Sequence, residues 1–558
     1  MVGADRPDRE RPVVVLLGAG DAPGRLTDLL AQRSTDEAGR TDGRVVDPTA
    51  RGWTATATAP ATESGPPAGL VLLDTQVLTV PTVYGDLVAD PRPGPAVLTV
   101  DDRVAGVRVP AAAVDLVSAL DVGDPGAVLT RLATLLRERG PVREVTPGAF
   151  PAVRVGDGGA DLDAALATVD AADEEGLRLR RASRGDDGFL STFLIRPMSR
   201  QVTRRLVPTG IRPATVTAVS LTLGLASALT YAVGGAWALL AGSLLLLLSL
   251  VIDCVDGEIA RYTRTFSALG GWLDVASDRV KEYAVYAGLV VGAGREGTDL
   301  WPLALAAMAL LVARHFVDFG FAATRSGTGD QSAVAAWSDS TSRRPALLWA
   351  KRAVIMPVGE RTIVLVVLAP LAGPRAALGV LLAWGLVAAA YTTLGRLGRV
   401  WGGGRTAAMG ALARAQLVAQ CDSGPVRGWP VGGRLGWLWP AVLRVLESGL
   451  VVGACWLSSR SLLPAAFAVL AVVAFRLYDV VYRQRLTGSA PPPDRLTPWG
   501  WPVRAALVLL AVGVASWSGA NPTATRWALV GAAAVWLVAA VGSSVAFWRS
   551  QPAGATAP

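Results

Sequence analysis

From about residue 214 to the end of the chain, apolar runs long enough to cross a bilayer follow one another with short polar breaks. A spanning helix needs roughly 20 mostly apolar residues. Backbone placed in lipid must also satisfy its own hydrogen bonds. Together these demands leave a bundle of helices as the fold of this part. The runs read as 214–234, 236–256, 270–293, 300–323, 361–373, 375–395, 441–458, 461–481, 502–518 and 525–547, about ten spans. The fifth is short, with room to extend back through Ile355.

Residues 1–185 are mixed and polar. Short runs rich in Val and Leu at 13–17, 70–73 and 97–100 each end at Gly or Asp, and 125–138 and 161–173 carry a helical pattern. Strands alternating with helices predict a soluble α/β domain with a largely parallel sheet. Residues 35–68, rich in Thr, Ala, Gly, Pro and Asp, predict a loop. The chain thus divides into this α/β domain (1–185), a junction (186–213), and an all-α polytopic region split into a core (214–400) and an addition (401–558). In the junction, arginines interleave with Phe189, Phe193, Leu194 and Ile195. That mixture predicts an amphipathic helix along the membrane surface.

The net charge is +8, and lysine occurs only at positions 281 and 351. The arginines flank the spans, so they are read as orientation charges, and no nucleic-acid partner is expected. Placing Arg196, Arg200, Arg204, Arg205 and Arg212 inside also puts Arg261, Arg264, Arg343, Arg396 and Arg483 inside. Only Arg295, Arg375, Arg460 and Arg526 fall on the other side. This predicts a multi-pass protein of the cell (inner) membrane with the N-terminal domain in the cytoplasm. The first residues, MVGADRPDRERP, hold no apolar core of a secretory signal. Three scattered cysteines predict neither disulfide nor zinc site.

The chemistry concentrates in one stretch. Asp253 and Asp256 are three apart at the end of one span; Asp274 and Asp278 are four apart at the start of the next. Each pair shares a helical face, and facing helices would gather four carboxylates. Four such charges repel one another at a membrane boundary unless a cation offsets them. All-oxygen ligands point to Mg²⁺ or Mn²⁺, and two such ions could clamp a pyrophosphate. Gly257 would let a nucleotide approach the backbone, Ala260 leaves space one turn along, and Arg261 could neutralise phosphate. His315 is the only histidine. Proton transfer therefore falls to a carboxylate or to solvent.

The pattern D-x2-D-G-x2-A-R-x8-G-x3-D-x3-D resembles the signature of the CDP-alcohol phosphatidyltransferases at every fixed position. The resemblance implies a six-span core, two metal ions, a CDP-alcohol donor such as CDP-diacylglycerol, an acceptor alcohol, and release of CMP. It assigns Asp253, Asp256, Asp274 and Asp278 to metal, with Asp278 also the base that takes the acceptor proton. It places Gly257, Ala260, Arg261, Gly270 and Thr217 at the donor, and it implies a homodimer. Arg361, in the recurrent Gly359-Glu360-Arg361, is the preferred acceptor-side cation, beside Lys281 and Arg279. The junction segments at 187–191, 196–199 and 209–217 resemble proteins that fuse an inositol-phosphate cytidylyltransferase to such a membrane domain. This favours an inositol phosphate as acceptor. The family's P-N-x-x-T reads Pro213-Ala214-Thr215-Val216-Thr217 here, so the Asn contact is lost.

The N-terminal domain resembles a nucleotidyltransferase less closely. Gly18-Ala19-Gly20 with Gly24-Arg25-Leu26 resembles its phosphate loop, Asp74 its metal-binding Asp, and Asp161-Leu162-Asp163 its D-x-D turn. The domain has no lysine, which predicts a degenerate, inactive form. The function expected is a membrane transferase in phospholipid or inositol-lipid biosynthesis. The alternatives are an inactive scaffold that keeps the fold and a transporter. The last four spans show no chemical constellation, and no repeat of the first five is evident.

Overall fold

The computed structural model describes residues 13–17, 45–46, 69–88, 94–183, 187–325, 344–402, 410–488 and 496–551, apart from 75, 114, 119–124, 141, 156–160, 425, 427–430 and 497. The expected phosphate loop at 18–26, most of the loop at 35–68, and Arg343 lie outside the described residues. The chain forms two compact units, Met1–Ala182 and Ser183–Pro558.

In the first unit, β1 (Val13–Leu17), β2 (Val45–Val46), β3 (Gly69–Asp74), β5 (Ala96–Val100), β6 (Arg103–Pro110) and β7 (Arg143–Val145) form one sheet in the order β2-β1-β3-β6-β5-β7. A second, two-stranded sheet pairs β4 (Val77–Thr79) with β8 (Ala152–Arg154). The unit's longer helices are α1 (Pro81–Val88), α2 (Pro125–Arg139), α3 (Leu162–Asp170) and α4 (Glu174–Ala182), with a 3-10 turn at Ala111–Ala113 and a four-residue helix at Asp115–Ser118. The main sheet is mixed where a largely parallel one is expected. β6 runs antiparallel to both β3 and β5, because Asp101 and Asp102 take positive φ and turn the chain straight back. Alternate residues of β3 serve opposite faces: Val71 and Leu73 join one apolar cluster, and Leu72 joins the other beneath Leu129 and Leu132 of α2. The helix expected over 161–173 is α3, which ends at Asp170; a separate helix, α4, begins at Glu174.

The second unit is helical. A π-helical turn (Ser191–Ile195) leads into α5 (Arg196–Leu206), and Gly210 at φ 68° ends the junction. α6 (Pro213–Val233) and α7 (Ala236–Tyr262) form a hairpin across Gly234 and Gly235, whose φ values of 83° and 85° favour glycine. α8 (Ala268–Arg295) follows after five residues; Ser267 caps it by accepting from the Gly270 amide at 3.0 Å. Then come α9 (Trp301–Arg325), α10 (Pro345–Ile355) and α11 (Val358–Gly402). The last part holds α12 (Ala411–Cys421), α13 (Trp439–Ser458), α14 (Leu463–Thr487), α15 (Trp501–Trp517) and α16 (Pro522–Arg549).

Among the described residues, seven helices are long and apolar enough to cross a membrane, which fits a membrane protein. They are α6, α7, α9, α11, a segment containing α13, a segment containing α14, and α16. α11 is one of the seven, yet Gly373 breaks its helical geometry between Pro370 and Pro374, where two separate spans are expected. α8 falls outside the seven because charged residues crowd its first half, and α15 is shorter. The fifth span does not extend back through Ile355. Met356 takes a left-handed conformation and ends α10 there.

α6 packs closely on α7 and α8 through small residues. A Cβ on Gly288 would lie 2.2 Å from the Ala228 carbonyl oxygen, and one on Gly292 would lie 2.1 Å from that of Tyr231. Two glycines four apart on α8 thus let backbones touch, the usual device where lipid offers no hydrophobic drive.

Candidate active site

α7 and α8 run from a shared five-residue turn, so their acidic ends meet. Single carboxylate oxygens of Asp253, Asp256 and Asp274 lie within 4.8 Å of one another. Three acceptor-only groups this close repel unless a cation lies among them, and hard oxygens at this spacing suit a divalent metal. The residues present therefore fit a metal centre. Asp278 is not in this trio. Its Oδ1 lies 3.2 Å from Lys281 Nζ, one helical turn along α8.

Each of the α7 aspartates has a partner on α6. Thr217 donates to Asp256 Oδ2 at 2.5 Å, and Ser220 donates to Asp253 Oδ1 at 3.0 Å. Thr217 and Ser220 are three apart and share one face. Lys281 donates to Asp253 and, at 3.0 Å, to Ser220. Its stem runs over Gly224, where a Cβ would lie 2.6 Å from Lys281 Cγ. The Arg261 guanidinium folds back over Gly257: a Cβ there would lie 3.1 Å from Nη1. Ala260 is half-buried at the next turn.

The cations expected on the acceptor side are already engaged. Arg279 donates to Glu282 at 2.6 Å and Arg361 donates to it at 2.8 Å, with Tyr286 donating as well at 2.9 Å. All of these groups are buried or nearly so. An acidic residue inside an apolar run signals such a cluster, and Glu282 carries that signal three residues after Arg279.

Glu258, within the acidic motif, is fully buried and accepts from Arg196 at 3.0 Å, Ser199 at 2.8 Å and Thr203 at 2.7 Å. These three recur on one face of α5. Arg196 also pairs with Asp187 at 2.5 Å; burial opposes its charge, but Asp187 and Glu258 hold its pKa above the usual arginine value. The junction helix thus also has an inward-facing polar edge. Arg196, Ser199 and Thr203 are turned inward to satisfy a buried carboxylate, while Gln201, Arg204 and Arg205 and the apolar Phe193, Leu194 and Met198 are exposed.

A cleft opens beside Asp253 and Asp278. Asp253, Asp278, Lys281 and Glu282 line one part; Leu246, Leu250, Val285 and Leu365 line another. His315 is packed, its Nδ1 sharing a 2.5 Å hydrogen bond with the Tyr478 hydroxyl.

In the first unit Asp74 is buried and ion-paired with Arg154 at 2.9 Å. Asp161 and Asp163 are exposed at the start of α3.

Residues 211–394 match the family model of CDP-alcohol phosphatidyltransferase, and residues 367–558 match a family of unknown function (DUF5941). The chain therefore carries a CDP-alcohol phosphatidyltransferase domain. It is similar to a bifunctional IPC transferase and DIPP synthase of Thermococcus kodakarensis, 39% identical over 102 residues, 18% of this chain and 22% of that protein. It is also similar to the phosphatidylinositol phosphate synthase of Mycobacterium tuberculosis, 29% identical over 131 residues, 24% of this chain and 59% of that protein. The chain thus covers less than two thirds of either relative. The crystal structure of the M. tuberculosis synthase with CDP-DAG bound aligns at 25% identity over 36% of this chain and 93% of that one, with a TM-score of 0.27.

Proposed function

We propose that this protein is a membrane transferase that moves a phospho-alcohol group from a CDP-alcohol to an acceptor hydroxyl and releases CMP, in lipid biosynthesis. The observation that carries this is the convergence of Asp253, Asp256 and Asp274 within 4.8 Å at a cleft with a charged part and an apolar part. One relative is by name a phosphatidylinositol phosphate synthase, and a product of that kind is consistent with CDP-diacylglycerol as donor and an inositol phosphate as acceptor.

Asp253, Asp256 and Asp274 would hold divalent metal, Mg²⁺ or Mn²⁺, with two ions the fuller reading. Such metal supplies charge neutralisation at the pyrophosphate and at the leaving oxygen. Thr217 and Ser220 orient the aspartates by their hydrogen bonds. Gly257, Ala260, Arg261 and Gly270 lie along the same helix ends and would bound the nucleotide. Asp278, apart from the trio and partly exposed, would take the acceptor proton. The acceptor oxygen then bonds to the β-phosphorus, the bond from that phosphorus to the CMP oxygen breaks, and CMP leaves with the electron pair. Arg279, Lys281 and Arg361 would lie on the acceptor side, the two arginines held in place by Glu282 and Lys281 by Asp253 and Asp278.

For the first unit, we infer a degenerate nucleotidyltransferase-like domain. Arg154 already neutralises Asp74, and no lysine occurs in residues 1–185. The cytoplasmic orientation rests on the arginine asymmetry.

The test is CMP release in membranes containing the full chain, with CDP-diacylglycerol and a panel of acceptors including inositol phosphate. Wild type is expected to release CMP only with divalent metal, and Asp274→Ala and Asp278→Ala to lose it. Activity that survives both substitutions overturns the mechanism. Pyrophosphate release from CTP by the full chain would overturn the inactive reading of the first unit.

A further inference from the structure

The C-terminal bundle carries no catalytic pattern, yet it grips the helix that bears two of the aspartates. Asp274, Asp278 and Lys281 recur at spacings of four and three on α8 and meet the α7 side and the cleft. Trp272, Ala276 and Arg279 recur at the same spacings on another face. Trp272 stacks on Trp548 of α16, with ring centroids 6.1 Å apart and planes 21° apart, and meets Phe475 of α14 edge-on at 6.4 Å. The Arg279 guanidinium lies 5.8 Å from the Tyr478 ring of α14, whose hydroxyl is held by His315 of α9. α14 and α16 are themselves joined: Trp548 donates to Asp479 at 2.8 Å, and Asp479 pairs with Arg483 at 2.7 Å.

We propose that the C-terminal bundle is a positioning element of the metal site, with Tyr478 and Trp548 fixing the rotation of α8 that aims Asp274 at Asp253 and Asp256. A rotation of about 20° moves a side-chain tip at the rim of a helix by about 2 Å. Metal–oxygen distances hold to about 0.2 Å. A helix braced on one face only would leave that rotation loose; α6 braces one face of α8, through Gly288 and Gly292 against Ala228 and Tyr231, and the bundle braces another. The inference rests on reading the three aspartates as a metal site.

The experiment uses the purified full-length protein in lipid nanodiscs. Mn²⁺ binding is followed by electron paramagnetic resonance, beside CMP release over a range of Mn²⁺ concentrations. Tyr478→Leu and Trp548→Leu are expected to weaken Mn²⁺ binding about tenfold. Their CMP release should fall at low Mn²⁺ and recover at high Mn²⁺, which a loss of folded protein would not reproduce. Val535→Ala, on the exposed side of α16, should match wild type. Unchanged Mn²⁺ affinity in both leucine variants, with binding lost in Asp274→Ala, overturns the inference alone. Absence of Mn²⁺ binding in wild type overturns the underlying metal-site reading as well. If the leucine variants do not fold, Tyr478→Phe and Trp548→Phe decide. Weakened Mn²⁺ binding in either supports the role, and wild-type affinity in both overturns it.

Discussion

Lys281 of α8 donates to Asp253 of α7, and its ammonium also lies 3.2 Å from Asp278, so one cation serves an aspartate of each helix. In the metal-free protein it offsets part of the repulsion that the acidic ends create. Lys281→Met removes that offset, and breaking a buried pair from one side costs about 3–5 kcal/mol. The variant should melt well below wild type in EDTA. Saturating Mg²⁺ should then raise its Tm by more than it raises that of wild type. An equal Mg²⁺ increment in the two proteins would contradict this.

Glu282 neutralises two arginines from different helices, Arg279 and Arg361. Glu282→Ala leaves both buried without a carboxylate, and a loss of about 3–5 kcal/mol is expected. Glu282→Gln keeps an acceptor and should lose less. Adding Arg361→Gln to Glu282→Gln should recover part of the loss, because it removes a stranded charge. Thermal unfolding in detergent measures all three; a double variant no better than the single would show that the cluster is not charge-coupled.

Thr217 is the α6 donor to buried Asp256. Thr217→Val keeps the shape and removes the hydroxyl, leaving a buried oxygen without that donor at a cost of about 1–3 kcal/mol. Asp256 then has one orientation fewer constraints, and the Mg²⁺ concentration for half-maximal CMP release should rise. Thr217→Ser, which restores a donor, should fall between the two. A Mg²⁺ dependence of Thr217→Val identical to wild type would remove Thr217 from the site.

Glu258 holds α5 to α7 through Arg196, Ser199 and Thr203. Glu258→Ala should free the junction helix. Limited trypsin digestion would then cut at Arg200, Arg204 or Arg205 at least several-fold faster than in wild type. Cleavage at the wild-type rate would mean that other contacts hold α5.

Much of the site could be read before any coordinate was known. The spacings of three and four put Asp253 with Asp256 and Asp274 with Asp278, because side chains that far apart share a helical face. The short turn between the spans made the two pairs neighbours. Thr217 was legible from the resemblance alone, one α-helical turn past Pro213. The partners of the cations were not legible. Glu282 and Glu258 meet arginines 79 and 62 residues away in sequence, and no local period encodes such pairings. The mixed sheet was hidden for a related reason: strand runs of Val and Leu look alike in either direction, and only the turn at Asp101 and Asp102 reversed β6.

By itself the sequence determined that this chain enters a membrane and that its acidic chemistry lies at the joint of two spans. Both follow from local rules: apolar length against bilayer thickness, and residue spacing against the helical repeat. Tertiary structure alone decided that Asp278 stands outside the carboxylate trio, that Lys281 joins Asp253 to Asp278, and that Tyr478 and Trp548 bear on α8. Those are facts about how helices rotate against one another. Rotation is set by packing between distant segments, such as Gly288 against Ala228 and Trp272 against Trp548, which no local stretch of sequence specifies.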